Sequence, residues 1–289
     1  MTSDSWTNFL DLPPELSRLE TAKYVVLPAP YEGTVCYKPG TADGPAAILN
    51  ASAQVETFDE ELMAEFVQAG IATLPLVATS DDPATQMEAI RQAARPVIDS
   101  GRFLLTLGGE HSITHPLVEL MAAKHGEISV LQIDAHADLR DTYRGTKLSH
   151  GAVMRRVLET CGSICQVGIR SFSRAEVEQC PEQAANFITP AVIEWHTKWI
   201  DMALSLLRPK VYITVDIDGF DPAYAPGTGT PEPNGLNWPQ VTTLLRRVCR
   251  EREVISADIV EVRPIPPNHV TEYLAARLAY KIIAYTQAK

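Results

Sequence analysis

Six side chains able to hold a metal sit in one kind of place along this chain. Asp134, His136 and Asp138 alternate directly after the apolar run Leu131-Gln132-Ile133, and Asp216 and Asp218 alternate after Ile213-Thr214-Val215. His111 follows Gly108-Gly109-Glu110 at the end of a third apolar run. A strand has a side-chain period of two, so Asp134, His136 and Asp138 are expected to converge on one point from the end of a buried strand. The competing reading is a solvated acidic turn with His136 tucked against its neighbours. The recurrence of carboxylates at Asp216 and Asp218 argues against it.

These donors are too many for one zinc, which takes about four ligands. They suit two divalent ions if two of the aspartates are shared, the arrangement with which a two-metal hydrolase holds one water. Oxygen and imidazole donors without thiolate favour Mn(II), two per subunit, with Co, Fe, Ni and Zn left open. The carboxylates of Asp134, Asp138, Asp216 and Asp218 balance two divalent ions, so a bridging hydroxide leaves the centre slightly negative and suited to a cationic substrate. No tight cluster of Arg and Lys accompanies these stretches, as a phosphate clamp requires.

The elements that must position these groups alternate between strand and helix. Buried strands are expected over 23–28, 103–107, 129–136, 164–170, 211–217 and 254–262. Helices are expected over 46–55, from Asp81-Asp82-Pro83 to Gly101, after Ser112, and over 153–160, 197–207, 238–251 and 270–286. Asp43 and Ser112 are read as helix caps. Gly108 and Gly109 permit a tight strand-to-helix turn, and no GxGxxG or GxxxxGK pattern assigns them to a nucleotide. Residues 5–19 read as an irregular lead-in, and 31–45 as a glycine- and proline-punctuated loop, either a lid or a surface meander. This alternation predicts an α/β fold, a mostly parallel sheet flanked by helices on both faces, with ligands beyond the carboxyl ends of the strands. No linker or repeat divides the 289 residues, so one domain over 1–289 is expected.

Composition narrows the partners. A formal net charge of −11 argues against nucleic acid. No apolar run approaches the ~18 residues of a membrane span, and residues 1–10 lack the order of a secretory signal, so a cytoplasmic protein without membrane attachment is expected. Cys36, Cys161, Cys165, Cys180 and Cys249 are odd in number and unpaired in spacing, consistent with reduced thiols.

Three stretches together resemble the signatures of the ureohydrolases, the family of arginase and agmatinase: Gly108-Gly109-Glu110-His111-Ser112, Asp134-Ala135-His136-Ala137-Asp138, and Asp216-Ile217-Asp218-Gly219-Phe220-Asp221-Pro222. The run from Ala225 to Leu236 resembles the agmatinase version in particular, and 31–45 resembles the family's amino-terminal loop. The resemblance implies an arginase-like three-layer α/β sandwich, a binuclear manganese centre, and hydrolysis of a guanidino group to urea and an amine. It implies that His111 and Asp138 complete one ion, His136 and Asp218 the other, and that Asp134 and Asp216 bridge. It further matches His150 of His150-Gly151 to a histidine that passes a proton to the leaving amine, and Glu261 to a glutamate that pairs with the guanidinium. Their competing readings are a surface histidine and an exposed strand-end acid. Relatives are commonly trimers or hexamers, so a homo-oligomer is expected by analogy. Asn268 departs from the family pattern, where an aspartate commonly follows Pro266-Pro267.

Residues 139–149 do not resemble the asparagine- and serine-rich loop with which arginase-like members grip an amino acid. The expected substrate is therefore agmatine, cleaved to putrescine and urea, a step of polyamine biosynthesis. N1-aminopropylagmatine, 4-guanidinobutyrate, guanidine and arginine stand as alternatives; Arg140, Arg144 and Lys147 leave room for a substrate carboxylate. A two-metal phosphoesterase, a mononuclear zinc amidohydrolase and a non-catalytic metal-binding homologue are the rivals from other classes. His115, His125, His196 and His269 match no ligand position and read as surface or core residues.

Overall fold

A computed structural model describes residues 8–288. Its strands, in chain order, are β1 (Tyr24–Ala29), β2 (Phe58–Asp59), β3 (Ala64–Glu65), β4 (Ile71–Thr73), β5 (Phe103–Gly108), β6 (Ser129–Ile133), β7 (Ile164–Val167), β8 (Lys210–Asp216) and β9 (Glu253–Val260). β2 and β3 form a small antiparallel pair; the others make one sheet in the order β4-β1-β5-β9-β8-β6-β7, with every pairing parallel. Parallel strands covered on both faces carry nearly continuous apolar runs. β1, as Tyr-Val-Val-Leu-Pro-Ala, is buried throughout.

The strand pleat divides the core into two layers. Val26, Leu105, Leu107, Leu131, Ile133 and Ile213 meet the helices Gly44–Ser52, Trp199–Ser205, Trp238–Glu251 and Val270–Gln287 on one face. Val25, Leu27, Leu104 and Val130 meet Pro83–Asp99, Thr114–His125 and Val153–Cys161 on the other. The result is the parallel sheet flanked by helices that the alternation predicts, and the three-layer arrangement that the resemblance implies. Asp82 caps its helix by accepting from Thr85 N at 2.8 Å. The short strands β2, β3 and β4 and the helices Arg174–Gln179 and Pro190–Trp195 carry too little periodicity to be read from sequence.

Several local expectations are corrected. Asp43 and Ser112 make no side-chain cap. A turn of 3-10 helix, Thr41–Asp43 and His111–Ile113 respectively, precedes each helix and puts the residue inside the first turn; Ser112 Oγ instead donates to Glu110 Oε1 at 2.5 Å. β6 stops at Ile133, so Asp134, His136 and Asp138 do not share a strand face. Asp134 Oδ1 accepts from His136 N at 2.6 Å, a side-chain turn that curls the chain away from the sheet. β7 likewise ends at Val167, short of Arg170. Of the lead-in expected over 5–19, residues 5–7 lie outside the described ones; the rest holds the short turns Phe9–Asp11 and Pro14–Ser17.

Candidate metal centre

The sheet order gathers the site. β5, β9, β8 and β6 are consecutive neighbours, and at or just beyond their carboxyl ends lie His111, Glu261, Asp216 with Asp218, and Asp134 to Asp138. Right after β5, the bare Cα of Gly109 is essential: a Cβ there would stand 2.0 Å from the Tyr31 carbonyl oxygen. The close approach lets Gly109 N donate to Ala29 O at 2.9 Å and Glu110 N to Tyr31 O at 2.8 Å. Asp138 and Glu261 hold left-handed backbone, at φ 52° and 62°. Non-glycine residues adopt that conformation at a cost, and such strain concentrates at functional sites.

His111 Nδ1 stands 3.1 Å from Asp134 Oδ2, 3.2 Å from Asp138 Oδ2 and 3.6 Å from Asp216 Oδ2. His136 Nδ1 stands 3.0 Å from Asp218 Oδ2 and 3.7 Å from Asp134 Oδ1. Two groups able to hold an ion result among the described residues, His111–Asp134–Asp216 and Asp134–His136–Asp218. Asp134 is common to both, whereas Asp216 falls in the first alone. Hydrogen bonds aim these carboxylates: Asp134 Oδ2 accepts from Gln132 Nε2, Asp216 Oδ1 from Asp218 N, and Asp218 from Ala135 N and Thr230 Oγ1. His111 Nε2 lies 2.9 Å from Thr214 Oγ1, which donates to the buried Asp258.

The donor set fits divalent cations. His111 Nδ1 is fully buried and makes no hydrogen bond, although three carboxylate oxygens surround it. Such an atom, in reach of oxygens but in line with none, suits a shared cation better than a shared proton. The electrostatics agree. Burial, followed by the charges of Asp218, Asp134 and Glu261, pushes the Asp216 carboxyl well above the carboxylate range. Burial chiefly also raises Asp138, to about 6, and Glu261 well above its ordinary value. Burial opposes charge on His111 and His136, but the neighbouring aspartates overcome it, holding His111 well above its usual range and His136 at about 12. So many buried carboxylates call for positive charge, which oxygen- and nitrogen-seeking divalent ions supply.

A cavity of about 170 Å³ opens onto these residues, lined by His136, Asp138, Asp216, His150, Glu261, Thr230, Tyr143, Arg140 and the stretch Val35 to Lys38. His150 and Glu261 thus join the ligand candidates at one cavity. Glu261 Oε1 accepts from His111 N at 2.8 Å. Burial, reinforced by the His111 and His136 charges, lowers His150 to about 4. With its affinity for a proton lowered, the half-buried ring is neutral near pH 7. The sequence reading gave no role to Thr34, Glu110, Thr214, Thr230 or Asp258, each visible only once a partner from another element is in place. The other histidines stay outside the centre; His115 lies 3.4 Å from Glu119 and His269 3.2 Å from Glu272.

The sequence profile of the arginase family matches residues 22–284. The N(1)-aminopropylagmatine ureohydrolase of Synechocystis sp. is 38% identical over 272 residues, covering 91% of this chain and 89% of that protein. The agmatinase of Pyrococcus horikoshii is 34% identical over 277 residues, 92% of either chain. Among solved structures, the agmatine ureohydrolase of Thermoplasma volcanium superposes with a TM-score of 0.85 at 34% identity, covering 93% of this chain and 91% of that one. The proclavaminate amidino hydrolase from Streptomyces clavuligerus does so with a TM-score of 0.88 at 26% identity, covering 98% and 97%.

Proposed function

Since the chain belongs to the arginase family and is an agmatinase-like ureohydrolase, we propose that it hydrolyses agmatine to putrescine and urea, using all eight residues singled out in its sequence. The observation that carries this is the cavity onto which Glu261, His150 and members of two ion-holding groups sharing Asp134 all open. His111 and Asp138 would hold one ion and His136 and Asp218 the other, with Asp134, common to both groups, and Asp216 shared between them. The ions would be two Mn(II) per subunit, in keeping with a donor set free of thiolate. When bound, such ions supply an activated water that attacks the guanidinium carbon.

The chain's own residues do the rest. Glu261, held by His111 N, pairs with the planar guanidinium and fixes its carbon for attack. His150 enters as a neutral ring, takes the proton lost by the attacking water, and gives it to the amine nitrogen as the C–N bond breaks. The remaining hydroxyl proton then passes to the released amine, so substrate cation and water become an ammonium and neutral urea, and His150 is restored. Tyr143 packs edge-on against His150, with ring centroids 5.3 Å apart.

N1-aminopropylagmatine is the second reading, favoured by the similarity to the Synechocystis enzyme. A guanidino acid is less supported. Arg144 spends its guanidinium on the carbonyls of Val35 and Cys36, and Lys147 lies 3.5 Å from Asp141, which leaves Arg140 of the three lining the cavity. Residues 1–289 act as one ureohydrolase domain in a cytoplasmic homo-oligomer, trimer or hexamer, whose product feeds polyamine biosynthesis. No helix among the described residues is long and apolar enough to cross a membrane.

Urea release by the manganese-loaded protein from agmatine, N1-aminopropylagmatine, arginine, 4-guanidinobutyrate and guanidine tests the reading. Agmatine is expected to give the highest kcat/KM. A higher value for any other substrate reassigns the specificity, and no urea from any of them rejects the reaction.

A further inference from the structure

Thr34 has no role in the chemistry described so far, yet its hydroxyl is the point through which the 31–40 stretch touches the proton carrier. The residue is 7% exposed and sits between β1 and the helix Gly44–Ser52. Its backbone N–H donates to Glu110 Oε2 at 2.6 Å and its hydroxyl to Glu110 Oε1 at 2.8 Å. The same oxygen accepts from His150 N at 3.2 Å and stands 2.9 Å from His150 Nδ1. The stretch is fixed from both sides: Glu32 Oε2 accepts from Gly40 N, Thr41 Oγ1 and Ala42 N, while Arg144 holds the carbonyls of Val35 and Cys36. Thr34 is therefore delivered to His150 by a braced loop.

A hydroxyl has one proton to donate. Thr34 gives that proton to Glu110, a wholly buried side chain that also accepts from Ser112 Oγ. What the Thr34 oxygen has left for the imidazole is a lone pair, so His150 Nδ1 must be the N–H donor of their contact. In a neutral ring the second nitrogen, Nε2, then carries no proton.

We propose that Thr34, anchored by Glu110, is a positioning residue that locks neutral His150 as its Nδ1–H tautomer and so reserves Nε2 as the atom that takes and returns the proton. Over 31–40 the loop is thus the arm that sets the tautomer. This rests on the reading of His150 as the proton carrier. Without the Thr34 hydroxyl the ring is free to place its proton on Nε2, a form that cannot accept one from the attacking water.

The test compares Thr34→Val, which keeps the branched shape, with Thr34→Ser, which keeps the hydroxyl. Metal content is measured alongside, so that ion loss is separated from ring effects. Thr34→Val is expected to lower kcat by about 10- to 100-fold with KM changed by less than about three-fold. Thr34→Ser is expected to recover most of that loss. Solid-state 15N NMR of histidine-labelled, zinc-loaded protein, with the His150 signals assigned through His150→Asn, reads the tautomer directly. The expected result is protonated Nδ1 in the parent and in Thr34→Ser, and a mixture in Thr34→Val. An unaltered tautomer in Thr34→Val, or a Thr34→Ser as slow as Thr34→Val, overturns the proposal. A changed tautomer with undiminished kcat upholds the hold of Thr34 on the ring and rejects His150 as the proton carrier.

Discussion

Asp134 is the residue on which the two ion-holding groups depend, because its two oxygens face different imidazoles, His111 at 3.1 Å and His136 at 3.7 Å. Replacing it removes a donor from both groups at once. Asp134→Ala is expected to lose both ions when metal content is measured after dialysis, and the proposed sharing of Asp216 requires the same of Asp216→Ala although its carboxylate falls in the first group alone; retention of one ion by either variant refutes its bridging role. His150 is a different case, since it belongs to neither group. His150→Asn is expected to keep its full metal complement while kcat falls by about 100-fold or more, the usual contribution of a positioned acid-base group. A His150→Asn that turns over at the parent rate removes the ring from the reaction.

At the scale of elements, the site depends on segments brought close at backbone level. The turn after β5 lies against the Tyr31 carbonyl with no room for a Cβ at Gly109. Gly109→Ala is therefore expected to cost about 1–3 kcal/mol in a denaturant titration, the range for overpacking a close-packed site. It should also lower kcat by displacing the arm that carries Thr34; full activity and stability would mean that the backbone gives way freely. Far from the cavity, Lys281 on the final helix is buried against the wholly buried Asp59, at 2.9 Å, with Glu60 and Glu61 beside it. Lys281→Met leaves the Asp59 charge without its partner, and a loss of about 3–5 kcal/mol is expected. Activity of the folded fraction should be retained, because this cluster lies outside the cavity.

For the whole molecule, the burial that makes the sheet stable also sets its tolerance to alkali. Cys165, on β7, is wholly buried, and burial pushes its thiol up from an ordinary value of 9.0 to about 12. Between those values the unfolded thiol has lost its proton and the folded one has kept it, so the unfolded state binds fewer protons and stability falls as pH rises. The slope approaches about 1.4 kcal/mol per pH unit for such a group. Tyr31, also raised to about 12 mainly by burial, adds a fall in the same direction above its ordinary value of 10.0. Denaturant titrations from about pH 8 to about pH 11 should show declining stability, and Cys165→Ala should flatten the decline. Parallel slopes for the two proteins would show that the thiol ionises freely in the fold.

The sequence by itself determined the ligand types, their places after apolar runs and the alternation of strand and helix, because period and composition are local properties. It determined the family through three motifs read in order, and with it the candidates His150 and Glu261. Only the tertiary structure decided how these groups meet. β6 stops before Asp134, so the convergence comes from a side-chain turn and not from strand pleat. The order β5-β9-β8-β6, which sets the three motifs side by side, follows from how crossovers pack and leaves no mark on any one segment. Thr34 and Glu110 lie 76 residues apart, and their bond exists because a loop and a strand end share one buried space. Such pairings depend on the packing of distant elements, which no local pattern encodes.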